Sequence, residues 1–185
     1  MYSMTKTQTL TRTAMGAVII ALCAWISIPA AVPFTLQTFG IFLVLAALGG
    51  RQGSVAVIVY ILLGLIGLPV FAGFSGGPGA LLGPTGGYIV GFAFIGPACM
   101  LAERLPLPAL ARSILGNLAG LAICYGFGTF WFIRVSAMNG SVYSLPAVLA
   151  MCVVPFILPD CIKLALALTV GRRLARALRL AGSTC

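Results

Sequence analysis

The sequence predicts an all-α integral membrane protein with six transmembrane helices and both termini in the cytoplasm. Hydrophobic residues make up 61% of the 185 residues and charged residues only 7%, whereas a soluble domain carries about 25% charged residues. The apolar residues form long continuous runs, which favours helices over the alternating strands of a membrane barrel. In helices, the backbone polar groups are also satisfied without water.

The apolar runs define one membrane domain over residues 1–185, with an N-terminal tail at 1–9 and a C-terminal tail at 180–185. The first run ends at Pro29, which cannot continue a helix, and it has no small-residue cleavage pattern, so we expect it to be retained. A Gly49-Gly50 pair ends the second run, and a glycine-rich stretch precedes the fourth. The six predicted segments are residues 10–28, 36–48, 54–71, 85–102, 109–133 and 145–170.

The cations predict the orientation of these segments. Arg134 lies on one side of the predicted membrane and Lys163 lies inside the sixth segment, while the other nine cations lie on the opposite side. The positive-inside rule makes that side cytoplasmic, so both termini share it and the number of helices is even. Because the cations do not form one stripe or patch, the net charge of +9 does not indicate nucleic-acid binding. The nine are Lys6, Arg12, Arg51, Arg104, Arg112, Arg172, Arg173, Arg176 and Arg179.

The chain offers few groups for catalysis or metal binding. It has no histidine and two acidic residues, and no pair among its six cysteines has C-x-x-C spacing. General acid–base catalysis and zinc sites depend on such residues. We therefore expect no enzyme activity, no catalytic residue, no metal and no cofactor.

Asp160 and Lys163 are the strongest candidates for a binding site. Three residues apart on the sixth segment, they share one helix face just after Pro159. A charge near the bilayer centre costs about 2.5–3.5 kcal/mol even on the lenient insertion scale, so such groups usually mark substrate sites. A carboxylate accepts and an ammonium donates hydrogen bonds, which suits a polar solute. A purely structural ion pair is the alternative.

Three other features have two interpretations each. The glycine-rich stretch at 67–88 lacks the lysine of a phosphate-binding loop, and its three prolines favour a structured lid or cavity wall over a flexible outer loop. Asn117 is an intramembrane amide that could bond a ligand or a neighbouring helix. The first helix carries small residues at Ala14, Ala17, Ala21 and Ala24, which could pack within the chain or dock another membrane protein. A similar stripe on the fifth segment, Gly116, Gly120, Cys124 and Gly128, predicts internal packing.

The sequence contains four distinctive motifs: Val-Pro-Phe-Thr-Leu-Gln-Thr at 32–38, Gly-Leu-Pro-Val-Phe-Ala-Gly at 67–73, Gly-Pro-Thr-Gly-Gly-Tyr at 83–88 and Leu-Pro-Asp-x-x-Lys at 158–163. They resemble motifs of the BioY family, the biotin-specific substrate-binding (S) components of energy-coupling-factor (ECF) transporters. They occur in family order, and the likeness extends over about residues 12–179.

The resemblance implies a biotin site near the outer face. It implies that the first outer loop covers the vitamin, that the glycine-rich loop forms walls, and that the acid and lysine of the sixth helix contact the ligand. The carboxylate of biotin is left to Lys163, Tyr88 or main-chain amides. With Asn117 added from the membrane reasoning, the expected binding residues are Asp160, Lys163, Tyr88, Gly86, Gly87, Gly73, Thr35, Gln37 and Asn117.

The resemblance also implies partners. An Ala-x-x-x-Ala face on the first helix, here Ala17 and Ala21, is expected to face outward and dock a membrane-embedded T component. The chain has no nucleotide-binding motif, so ATP-driven uptake needs two partner ATPases of the ABC type. We expect high-affinity biotin uptake across the bacterial cytoplasmic membrane. The alternative is a solitary, possibly oligomeric, biotin transporter.

Overall fold

A computed structural model describes residues 5–28 and 33–182, and helices dominate this part of the chain. Two short strands, β1 and β2, pair antiparallel between the first two helices, and 3₁₀ turns lie at Ala72–Phe74 and Phe92–Phe94. In chain order the elements are α1 Lys6–Trp25, β1 Ser27–Ile28, β2 Phe34–Thr35, α2 Gln37–Leu65, α3 Pro78–Leu82, α4 Gly86–Gly91, α5 Ile95–Ala102, α6 Ala109–Met138, α7 Leu145–Cys152 and α8 Val154–Gly182.

Helix α1 begins earlier and ends earlier than the sequence predicts. Thr5 and Gln8 form a capping box, in which each side chain accepts a hydrogen bond from the other residue's backbone N–H at 3.2 Å. This cap starts the helix at Lys6, so residues 6–9 are helical although we predicted a tail. The helix ends at Trp25, and the next residues enter strand β1 instead of continuing to Ile28. Pro29, the predicted stop, lies outside the described residues.

Helix α2 is a hairpin of two antiparallel arms. Gly49 has φ 82° and ψ 168°, a backbone conformation that favours glycine. The Gln37 side chain donates to the Tyr60 hydroxyl at 2.7 Å, although 23 residues of straight helix would separate them by about 34 Å. The chain therefore reverses at Gly49, the predicted boundary between the second and third segments. The second arm ends at Leu65, short of the predicted residue 71.

The remaining segments follow the prediction with shifted ends. Helix α4, a 3₁₀ turn and α5 together cover residues 86–102, and α6 extends five residues past the predicted end at 133. The sixth segment is interrupted at Val153, where φ is −124° and ψ −58°, and α8 then continues to Gly182. The last turn of α8 therefore includes residues 180–182, which we predicted as tail.

By length and composition, the runs Gln37–Leu65, Ala109–Met138 and Leu145–Leu178 could each cross a membrane, and Gly86–Ala102 is a shorter apolar run. The hairpin at Gly49 means that the first of these does not cross as one straight rod. A mostly helical fold with apolar helices long enough to cross a membrane is thus confirmed.

Three of the four alanines in the α1 stripe pack inside the chain, which corrects one expectation, whereas Ala14 is exposed. Ala17 and Ala21 are 1% and 6% exposed, and Ala24 is fully buried. A Cβ added to Gly16, on the same helix face, would lie 3.0 Å from the Cβ of Ala56 on α2, so the two helices are in close contact. Small residues permit this approach. Ala17 and Ala21 were expected to face outward toward a partner, but in this structure both are buried within the chain.

The small residues of α6 pack internally, as predicted. A Cβ on Gly116 would lie 2.7 Å from the Cα of Cys99 on α5, and one on Gly128 would clash with the Tyr88 ring. By contrast, a Cβ on Gly126, on the same helix, would meet nothing within 4 Å. The α6 stripe therefore sets the distance between α6 and the α4–α5 pair.

Candidate functional site

A cavity with about 650 Å³ of empty space, including its open mouth, lies where strand β2, the start of α2, the glycine-rich segment, α4, α6 and α8 meet. Its walls are mainly apolar and aromatic, with polar side chains contributed by α2, α4, α6 and α8. It is lined by Pro33, Thr35, Gln37, Thr38, Ala72, Thr85, Tyr88, Ile89, Phe92, Cys124, Tyr125, Cys152, Phe156, Asp160 and Lys163.

Asp160 is the centre of the polar cluster. Its Oδ1 accepts hydrogen bonds from Lys163 Nζ at 2.8 Å and from Thr38 Oγ1 at 2.9 Å. Its Oδ2 accepts one from the Tyr125 hydroxyl at 2.6 Å. Asp160 is 2% exposed, so these donors replace the water that its carboxylate would otherwise bind. Helices α2, α6 and α8 are thereby joined at one point.

Lys163 uses all three of its donors within the chain. Besides Asp160, Nζ donates to the Thr35 carbonyl at 2.7 Å and to Thr38 Oγ1 at 3.2 Å, and an ammonium has three N–H bonds. The same nitrogen lies 4.3 Å from the centre of the Phe34 ring, a cation–π distance. Lys163 therefore connects the buried acid to strand β2 at the edge of the cavity.

Tyr88 and Gln37 are held by partners outside the ion pair. The Tyr88 hydroxyl lies 3.2 Å from Thr129 Oγ1 on α6. The Gln37 backbone N–H donates to Thr35 Oγ1 at 3.2 Å, and its side chain donates to Tyr60. Both residues therefore reach the cavity with fixed orientations.

Two tryptophans hold the glycine-rich segment in place. Trp25 Nε1 donates to the Pro69 carbonyl at 2.8 Å, and Trp131 Nε1 donates to the Gly83 carbonyl at 3.0 Å. Between these points, Ala72 contributes to the cavity lining. The segment is thus an ordered cavity wall, which supports that interpretation over a flexible loop.

Five of the nine predicted binding residues line the cavity: Thr35, Gln37, Tyr88, Asp160 and Lys163. The three glycines do not line it but shape its surroundings. A Cβ on Gly86 would clash with the Leu81 carbonyl, and one on Gly87 with the Trp131 side chain, so both permit tight packing. Gly73 has φ 65°, a turn that favours glycine beside the lining residue Ala72.

Asn117 lies outside the cavity lining. It is 1% exposed, its amide nitrogen donates to the Ser113 carbonyl of its own helix at 2.8 Å, and its Oδ1 has no partner. The bond it makes is therefore neither of the two that the sequence suggested, to a ligand or to a neighbouring helix.

Sequence reasoning missed Thr38 and Tyr125, the two hydroxyl groups bonded to Asp160. Tyr125 follows Cys124 of the small-residue stripe, and a tyrosine hydroxyl within an apolar span needs a polar partner. That requirement was the available signal, but its partner on α8 is 35 residues away in the chain. Thr38 is the second residue of α2, and only the approach of α8 brings its hydroxyl within hydrogen-bond distance of Asp160.

The arrangement is suited to binding a small molecule that has both polar and apolar parts. The cluster offers a carboxylate, an ammonium and two hydroxyls, while Ile89, Phe92 and Phe156 provide apolar surface. Within residues 5–28 and 33–182, no group of three or more His, Cys, Asp or Glu side chains could hold a metal ion.

Comparison with known proteins shows where this arrangement belongs. The model of the BioY family matches residues 1–180. The chain is 42% identical to the biotin transporter BioY of Thermotoga maritima, over 85% of this chain and 90% of that protein. It is 36% identical to the biotin transporter BioY of Rhodobacter capsulatus, over 87% and 89% of the two chains.

A solved structure supports the same family assignment. The crystal structure of the S-component for biotin from an ECF-type ABC transporter matches with a TM-score of 0.76 and 30% identity, covering 94% of this chain and 95% of that one. The relatives of this chain and its own apolar helices identify it as a multi-pass transport protein of the cytoplasmic membrane. The family resemblance read from the four motifs is confirmed: the chain belongs to the BioY family.

Proposed function

We propose that this protein binds biotin in the cavity with high affinity and is the S component of an ECF-type uptake system. The observation that carries the proposal is the buried Asp160–Lys163 pair, which lies in an otherwise mainly apolar cavity. Intramembrane ionisable pairs of this kind mark substrate sites. The names of the relatives supply the ligand class.

The chemistry of biotin fits the polar cluster. Its ureido ring has two N–H donors and one carbonyl, and Asp160 is the acceptor that those donors require. The hydroxyls of Thr38 and Tyr125 donate to the two oxygens of Asp160. When a ligand N–H takes over one of these hydrogen bonds, the released hydroxyl can donate to the ureido carbonyl. A site that pairs every polar atom of its ligand rejects analogues that leave its own groups unpaired.

The rest of the vitamin is assigned to the apolar walls. Phe92 and Phe156 suit the fused rings and the aliphatic chain. Lys163 already uses its three donors, so Tyr88 is the side chain that we assign to the biotin carboxylate. Gly73, Gly86 and Gly87 contribute by backbone shape, and Asn117 has no part in this proposal.

The proposed topology has six spans with both termini in the cytoplasm. The two arms of α2 count as separate spans, and 86–102, α6 and the α7–α8 run complete the set after α1. The distribution of the cations supports this orientation.

Cysteine accessibility tests this topology: Thr7→Cys should react only from the cytoplasmic side and Gly79→Cys only from outside, with the unmodified chain as background. Labelling of both from one side would contradict it.

The proposed partners are a T component and two ABC-type ATPases. Uptake of labelled biotin should be measured in cells that lack other biotin transporters, with this chain expressed alone or together with the partners. Uptake that requires the partners supports the S-component proposal. Full uptake by the chain alone would instead support a solitary transporter, and a biotin-binding chain without uptake in either case would refute both.

A further inference from the structure

Two lipid-facing grooves separate α6 from the α7–α8 run, one in each half of the molecule. The inner groove has about 800 Å³ of empty space and the outer groove about 850 Å³, both counted with their open sides. Neither is the cavity of the polar cluster. The inner groove is lined chiefly by Leu110, Ile114 and Leu118 of α6 and by Leu164, Leu168 and Arg172 of α8.

The inner groove has the shape of an acyl-chain site. Leu164 and Leu168 are 5% and 4% exposed and form its base, while Leu110, Ile114 and Leu118 form an exposed side. From Cys161 to Arg172 the groove follows about 16 Å of helix, close to the thickness of one hydrocarbon leaflet, about 15 Å. It therefore fits one lipid tail lying along the helices.

Charge distinguishes the two grooves. The inner groove ends at the guanidinium of Arg172, whereas none of the residues lining the outer groove is charged. Among the described residues the one ion pair is Lys163–Asp160, so no carboxylate neutralises Arg172. A guanidinium binds phosphate oxygens in a bidentate manner, and basic pockets between transmembrane helices on the cytoplasmic side bind anionic headgroups.

We propose that the inner groove binds one anionic phospholipid of the cytoplasmic leaflet, with an acyl chain between α6 and α8 and its phosphate on Arg172. The assignment to the cytoplasmic leaflet rests on the proposed orientation, whereas the contacts between the groove and the lipid are independent of it. The lipid fills the space that α6 and α8 leave open, on the side of α8 opposite to the buried face of Lys163. The outer groove binds lipid without preference for charge.

The experiment uses the purified full chain in nanodiscs of phosphatidylcholine containing a minor fraction of phosphatidylglycerol. After extraction into mild detergent, retained lipids are counted by native mass spectrometry. The unmodified chain should retain one phosphatidylglycerol in preference to phosphatidylcholine. Arg172→Gln should weaken this retention about fivefold, while Arg173→Gln, an equal charge change at an exposed neighbour outside the groove, should leave it unchanged.

A second pair of variants tests the acyl-chain part. Ala165 lines the groove and is exposed, so Ala165→Phe should fill it and abolish retention. Leu166→Phe, exposed on the adjacent face, is the matched control and should have no effect. Biotin binding should persist in all four variants, which shows that each is folded.

Three results would overturn the proposal. Equal loss in Arg172→Gln and Arg173→Gln would mean that general surface charge attracts the lipid. Equal retention of both phospholipids would exclude a phosphate site that prefers anionic headgroups. Unaltered retention in Ala165→Phe, together with lost assembly with the T component, would assign the groove to a protein partner.

Discussion

Separate and joint replacement of Asp160 and Lys163 distinguishes a ligand site from a structural ion pair. The two charges lie 2.8 Å apart, and the residues are 2% and 6% exposed. Lys163→Met leaves a buried carboxylate that retains hydrogen bonds from Thr38 and Tyr125 but has no counter-ion. Asp160→Asn keeps the shape of the side chain and leaves a buried ammonium whose remaining acceptors are uncharged.

The magnitude follows from the burial. Removing one partner of a buried pair costs about 3–5 kcal/mol of stability, because an uncompensated charge remains. Removing both charges is often neutral or stabilising. We therefore expect each single variant to unfold at a lower temperature than the unmodified chain, and Asp160→Asn with Lys163→Met to recover most of that loss.

Biotin binding should not recover with stability. Hydrogen bonds to charged groups contribute about 1.5–3 kcal/mol, so loss of the carboxylate should weaken binding about tenfold to hundredfold. Thermal unfolding in detergent gives the stability, and titration calorimetry of the folded fraction gives the affinity. A stable double variant with the affinity of the unmodified chain would show that the pair is only structural. Single variants of full stability would refute the argument from burial.

Three further variants test neighbouring parts of the structure. Tyr125→Phe removes the 2.6 Å bond to the carboxylate and should weaken biotin binding about tenfold in the same calorimetric assay; unchanged affinity would remove this hydroxyl from the site. Gly128→Ala places a methyl group against the Tyr88 ring and should lower both the affinity for biotin and the unfolding temperature. Gly126→Ala, where an added Cβ would meet nothing within 4 Å, should lower neither. Equal effects of the two variants would contradict the packing described for α6. Ala17→Leu overfills a buried position and should cost about 1–3 kcal/mol of stability, in contrast to Ala14→Leu on the exposed face; normal stability combined with lost partner binding would restore the docking role.

The helical segments could be predicted from the sequence because a span through lipid needs a long apolar run, and glycine, proline and charged residues separate these runs. The reversal at Gly49 was visible as a Gly-Gly pair beside Arg51. Local hydrogen bonds of the backbone set the two ends of α1, which differ from the predicted ends. The cap from Thr5 starts α1 early, and the pairing of β1 with β2 replaces the last predicted residues of the first helix.

The candidate site was only partly readable. Asp160 and Lys163 were evident because ionisable residues within a membrane segment are costly. Tyr125 and Thr38 were missed because their importance depends on which helices meet, and no local pattern encodes that. The stripe through Ala17 and Ala21 is equally ambiguous in sequence, since a small-residue face serves packing within a chain and docking between chains alike.

Equilibrium dialysis of the purified protein against radiolabelled biotin measures directly whether the cavity at Asp160 and Lys163 binds the vitamin. Endogenous biotin is first removed by extensive washing, and the variant carrying both Asp160→Asn and Lys163→Met is measured beside the unmodified chain. We expect one biotin per unmodified chain and at least about tenfold weaker binding by the variant. Absence of binding to the unmodified, folded chain, or equal binding by both proteins, would contradict it.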